Sequence, residues 1–226
     1  MIVVVGSPSW GGPDRKAPTG LAAQIAMGAA AAGRQVELVG RIGDDDTGDT
    51  LLVALSRAGV GHVAILRDPA RATGVDLGPV TSEDADLETP GLGGATDWSD
   101  TGDPRPRPEA SGPVLEAADV AMGLRYLTEF AVLVLLDDLS AEAVAVGVEA
   151  SAYAGASLVV LVGPSASVPD EVPGDATILA VPREDQGERF AAMVASYAVA
   201  LDSGGSPATA FNGAVAALGW EGVANE

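Results

Sequence analysis

The stretch VELVGRIGDDDTGDTLLVALSRAGV, residues 36–60, decides how the rest of the chain reads. Residues 36–40 read as a strand leading into a Gly-Asp-Asp turn at 43–45. A helix follows: Thr47 is placed to be its N-cap, Leu51, Leu52 and Leu55 recur on one face, and Gly59 supplies the stop. One βα unit is therefore legible in full.

Working outward, the same grammar repeats. Residues 3–5 read as a first strand ending at Gly6-Ser7-Pro8, and 19–33 as a helix capped by Thr19 and stopped by Gly33. Residues 63–66 and 75–77 are short strands around a turn at Asp68-Pro69. Residues 81–113, dense in Pro, Gly, Ser and acids, predict an acidic loop inside the domain that Leu92 and Trp98 could anchor. Beyond it come a helix at 114–127, a strand at 130–136, and a helix at 140–154 with Ser140 as N-cap and Glu142 in its first turn. Strands at 157–162 and 177–181 precede an amphipathic helix at 184–201. After a Gly204-Gly205 break, a last helix has Ser206 as N-cap, Pro207 at its first position, Phe211, Val215 and Leu218 inward, and Gly219 as stop. Apolar strands alternating with helices predict an α/β three-layer sandwich around a mostly parallel central sheet, one domain over 1–226.

Composition sets the bounds. Of 226 residues 47% are hydrophobic but only 4% aromatic, so the core must be built from Ala, Val and Leu. There is no cysteine, which excludes disulfides and thiolate chemistry, and the single histidine, His62, follows a helix stop where a position on the surface or at a strand start is expected. No signal peptide is visible and no apolar run reaches the roughly 18 residues of a membrane span, so a cytoplasmic protein without membrane partners is expected. Net charge is −20, from 32 acidic and 12 basic residues, and Lys16 is the sole lysine. Phosphate backbones need clustered cations, so nucleic acid is not an expected partner. Such acidity fits a halophilic cytosol, where salt screens the surface's self-repulsion.

General nucleotide motifs fail. Lys16 lacks the Walker glycine before it and the Ser/Thr after it, and Gly91-Leu92-Gly93 lacks a preceding strand and a third glycine at Thr96. The acidic run 44–49 lacks EF-hand ligand spacing, and no metal site is expected.

The block 36–60, together with Ala72-Thr73-Gly74 and the opening VVVGS, resembles the ribokinase (PfkB-type) sugar and nucleoside kinases, which run "lvGrvGdD.fG..ll..L...GV" at this point. The resemblance implies a ribokinase-like fold and a sugar or nucleoside site. Gly20 matches a glycine of the family's "GGkgaN" helix, Gln24 stands for its substrate-binding asparagine, and Gly43, Asp137 and Asp138 fall on the substrate side. Only about a dozen residues separate the first strand from that helix, so the family's lid is expected to be reduced or absent. Arg183 and Gln186 replace the polar and metal-linked residues of "tpNetE". The signature "DT.GAGDaF.gA" aligns best with residues 202–214, which makes Gly204, Gly205 and Ser206 the nucleotide-binding residues. Thr209 then stands where the catalytic aspartate belongs. In an alternative alignment the last helix is an earlier one and the catalytic segment is missing. Either way no catalytic residue is left, since a threonine cannot act as a general base at neutral pH.

Three functional expectations follow. The first is a catalytically impaired family homologue that binds a small molecule or a partner, needs no cofactor, and is free to self-associate. The second is an active kinase with a rearranged site, requiring ATP and Mg, in which Asp202 would be the substitute base. The third is an unrelated α/β binding module.

Overall fold

A computed structural model describes residues 1–11, 17–76, 112–127, 129–164, 166–182 and 187–217. In chain order the elements begin β1 (Ile2–Val5), β2 (Ser9–Gly11), β3 (Ala17–Thr19), α1 (Gly20–Ala31), β4 (Val36–Gly43) and α2 (Asp46–Arg57). Next come β5 (Val60–Gly61), β6 (Ile65–Asp68), β7 (Val75–Asp76), α3 (Ala117–Tyr126), β8 (Val132–Leu135) and α4 (Ala141–Ala154). The chain continues through β9 (Ser157–Val162), β10 (Thr177–Ala180), α5 (Gly187–Asp202) and α6 (Pro207–Ala217).

The main sheet has the order β10-β9-β8-β1-β4-β5, with β6 also pairing to β4, and every pairing is parallel. β1 lies within it and is fully buried on both faces, which is why it reads as unbroken aliphatic sequence. Ile2 and Val4 point into a core shared with α1, α2 and α5, while Val3 and Val5 point into a second core under α3 and α4. Each such valine contributes about 1.5–3 kcal/mol by leaving water.

With few aromatic residues to fill space, the helices close in through small ones. A Cβ on Gly28 of α1 would lie 3.0 Å from that of Ala195 in α5, and Arg34, just past α1, donates to Asp202, the last residue of α5. The two helices therefore run side by side in the same direction. Their heads lie at the carboxyl ends of the strands, and their tails lie where Met1 enters β1.

Several boundaries differ from expectation. The cap of α2 is Asp45 rather than Thr47, because Asp45 Oδ1 accepts from the Gly48 N–H at 2.7 Å. Where the lid is expected to be reduced or absent, β2 pairs antiparallel with β3 and parallel with β7 in a small three-stranded sheet whose short strands carry no alternation. In α6 the buried residues are Ala210 and Ala214, while Phe211 is largely at the surface, with its ring edge-on to Tyr197. His62 is exposed, as expected. Apart from Gly112 and Pro113, the expected loop at 81–113 lies outside the described residues, as do Lys16, Arg183, Gln186, Leu218 and Gly219. Among the described residues no helix is long and apolar enough to cross a membrane.

Candidate functional site

Open parallel sheets place ligands beyond the carboxyl ends of their strands. Here those ends carry Ser7 after β1, Asp137 and Asp138 after β8, and the 43–45 turn after β4. The Ser7 N–H donates to Asp138 Oδ2 at 2.9 Å, tying the ends of β1 and β8 together. Beside this bond opens a cavity of about 510 Å³, walled by Ser7, Ser9, Arg41, Arg71, Leu115 and Asp138 among others. Solvent reaches Asp138 through the mouth of the cleft, but the walls displace much of its water. That burial pushes its carboxyl above the usual range against the Ser7 hydrogen bonds, and the neighbouring Asp137 charge adds to the rise. Asp137 is raised too, by burial, and faces Gly163 at the end of β9.

Gly20 opens α1 on the same side. Its φ of +81° and the 3.0 Å from its would-be Cβ to Ser9 Oγ leave room for glycine alone. Gln24 follows one turn later on the same helix, half-buried and away from the cavity wall.

Gly43 has a structural task. A Cβ there would collide with the backbone of Ala72 and Thr73, and its N–H donates to Thr73 Oγ1 at 3.0 Å. Asp45 completes this clamp, accepting from the Thr73 hydroxyl at 2.7 Å and the Thr73 N–H at 2.8 Å while capping α2. Burial alone would raise the Asp45 carboxyl, but the Thr73 and Gly48 hydrogen bonds and the nearby Arg67 hold it below the usual range. The two sharpest sequence blocks are thus one structural joint. It holds the 71–74 loop, with Arg71 and Gly74, against the cleft.

Gly204, Gly205 and Ser206 lie at the other end of the sheet. The Gly204 and Gly205 N–H groups donate to the carbonyls of Leu201 and Ala200, closing α5 and leaving neither amide for a phosphate. Ser206 Oγ accepts from the Thr209 N–H at 3.3 Å and bonds its hydroxyl at 2.9 Å, a helix cap. Asp202 is sequestered, its side chain 3% exposed, bonding the Met1 amino group at 2.7 Å and pairing with Arg34. From Met1 to Ser7 the chain runs up the length of β1, about 20 Å at ~3.3 Å per residue. Thr209 and Asp202 are therefore remote from the cleft.

Among the acids of α5, Glu188, in its first turn and exposed, stands at the cleft end of the sheet. Gly28 of α1 meets Ala195 of α5; carried back along the parallel helices, that register brings Gly20 level with Gly187, next to Glu188. Gly187-Glu188-Arg189-Phe190 repeats the Gly-Asp-x-Phe spacing at the heart of the quoted signature, and Phe190 is buried in the core. That spacing was the available signal; Asp185 and Gln186 before it, where glycine and alanine are usual, conceal it.

No family model and no curated protein matches the sequence. The fold does match solved structures. Arabidopsis thaliana ribokinase with ribose and ATP superposes with a TM-score of 0.62 at 15% identity, over 96% of this chain and 90% of that one. Ribokinase from Cryptococcus neoformans var. grubii with ADP gives 0.59 at 16%, over 100% and 94%. A protein known as Sa239 gives 0.67 at 12%, over 100% and 94%. The chain is a parallel α/β sandwich with a cleft at its strand ends. More narrowly, this chain has the ribokinase-like fold.

Proposed function

We propose that the cleft holds a sugar or nucleoside and that the protein transfers the γ-phosphoryl group of ATP to one of its hydroxyls, with Glu188 as the proton acceptor. The observation carrying this is the position of Glu188, at the head of α5 and next to Gly187, which is level with Gly20. The acceptor oxygen attacks the γ-phosphorus, the bond to the bridging oxygen of ADP breaks, and the hydroxyl proton passes to the Glu188 carboxylate. Asp138 and Ser7 orient the acceptor's hydroxyls. The positive end of the α5 dipole favours the anionic phosphates at the same place. Magnesium, which takes most of its ligands from phosphate and water, would bind with ATP and neutralise charge there. That the Arabidopsis relative of like fold was solved with ribose and ATP supports the choice of substrates.

A second reading, a homologue that binds its ligand without turnover, is favoured by Asp185 and Gln186. They put a carboxylate where the signature carries phosphate-cradling residues. The experiment is ATP turnover with Mg against a panel of sugars and nucleosides, paired with thermal shift under the same conditions. Turnover with one acceptor supports the kinase, and a stability shift without turnover supports the second reading. Neither turnover nor any shift across the panel sinks both.

A further inference from the structure

We infer that the molecule bound in the cleft carries an anionic group, a carboxylate or a phosphate, which Arg71 recognises beside Arg41; the inference rests on the cleft being a sugar-type site. The chain has few cations, 12 against 32 acids, yet two arginines line this one cavity. They stand in different states. Arg41 is fixed between two carboxylates, with Nη2 3.3 Å from Asp68 Oδ2 and Nη1 2.9 Å from Asp119 Oδ2, so its charge is matched while its remaining N–H groups keep their direction. Arg71 is exposed, and among the described residues no carboxylate lies within ion-pair distance of it.

The segment carrying Arg71 is nonetheless held on both sides. Asp68 Oδ1 accepts from the Ala70 N–H at 2.9 Å, so the carboxylate that grips Arg41 also fixes the chain just before Arg71. Thr73, just after it, is locked by Asp45 and Gly43. A guanidinium on an anchored loop that lines a cavity, with no ion-pair partner among the described residues, is preorganised for an incoming anion, which it can bind through two parallel hydrogen bonds. Asp138 and Ser7, which line the same cavity, offer an acceptor and a hydroxyl partner for alcohol groups. The cleft thus presents partners for both an anion and hydroxyls, as an aldonate or a sugar phosphate requires. A neutral sugar uses only the second.

The test is titration calorimetry without ATP, at fixed ionic strength, with ribose, ribonate and ribose 5-phosphate as probes. It is run on the wild type, Arg71→Gln and Arg71→Lys. At least one anion is expected to bind about ten- to hundredfold tighter than ribose. The preference should collapse in Arg71→Gln and partly survive in Arg71→Lys, while ribose binding stays unchanged in both and confirms their folding. Which anion gains tells a carboxylate site from a phosphate site. Equal affinity for all three, or a preference that persists in Arg71→Gln, overturns the inference and leaves the sugar site standing. Failure of all three to bind overturns the cleft reading and the inference with it.

Discussion

Replacing Asp45 with alanine tests the joint between the two sharpest sequence blocks. The carboxylate accepts three hydrogen bonds: from the Gly48 N–H that it caps, and from the hydroxyl and N–H of Thr73, a residue 4% exposed. Loss of the cap costs about 1 kcal/mol. Leaving two buried Thr73 donors without a partner adds about 1 kcal/mol each at the low end of the usual penalty. The loss is thus about 3 kcal/mol, or a fall in Tm of roughly 6–12 °C for a chain of this length. Removing one negative charge from a surface at −20 works in the opposite direction, so the exposed Asp170→Asn is the reference variant. Asp45→Asn keeps a carbonyl acceptor and should fall between the two. The assay is urea unfolding followed by circular dichroism, at neutral and acid pH. Because the folded-state pKa of Asp45 is depressed, its contribution is present above the unfolded-state value of about 3.8 and fades as pH falls through the folded value. The gap between wild type and Asp45→Ala should narrow in acid. A loss under about 0.5 kcal/mol relative to Asp170→Asn would refute the clamp.

Three further outcomes follow. Asp202→Asn should destabilise the protein by about 2 kcal/mol, less than a fully buried pair because Arg34 is partly exposed, while leaving ligand binding intact; loss of binding would place Asp202 at the site after all. Asp138→Asn should weaken ligand binding yet slightly stabilise the unliganded protein at neutral pH, since burial opposes its charge; wild-type affinity should grow as pH rises through its elevated pKa, and a flat affinity profile from pH 4 to 8 would count against it. Tm should climb steeply with KCl if the −20 charge reflects a salt-rich cytosol, and a Tm flat between dilute and molar salt removes that idea.

Much of the architecture was readable because buried parallel strands announce themselves. Residues 2–5, 132–135 and 158–162 are aliphatic runs, and Ser140 and Gly155 close α4 with side-chain and left-handed caps. What misled was chemistry shared between unrelated jobs. A glycine pair before a helix is what an anion-binding loop needs, but it is also what a helix end needs, and Gly204, with φ +85°, serves the second purpose. In the run 44–47 every residue can cap a helix; the choice of Asp45 is made by Thr73, 28 residues away, which local propensity cannot see. The strands of the small sheet are two or three residues long and partly set by pairing with β7, far along the chain. Arg41 and Arg71 could not be joined from the sequence, because only the fold brings both arginines to one cavity.

Whether Glu188 is the proton acceptor of the proposed transfer is decided by rapid-quench measurement of acceptor-dependent ATP cleavage in Glu188→Gln and Thr209→Ala. Glu188→Gln is expected to lose about 10²- to 10⁴-fold in rate with acceptor binding preserved, and Thr209→Ala to match the wild type. Full activity in Glu188→Gln, or its loss in Thr209→Ala, would contradict the assignment.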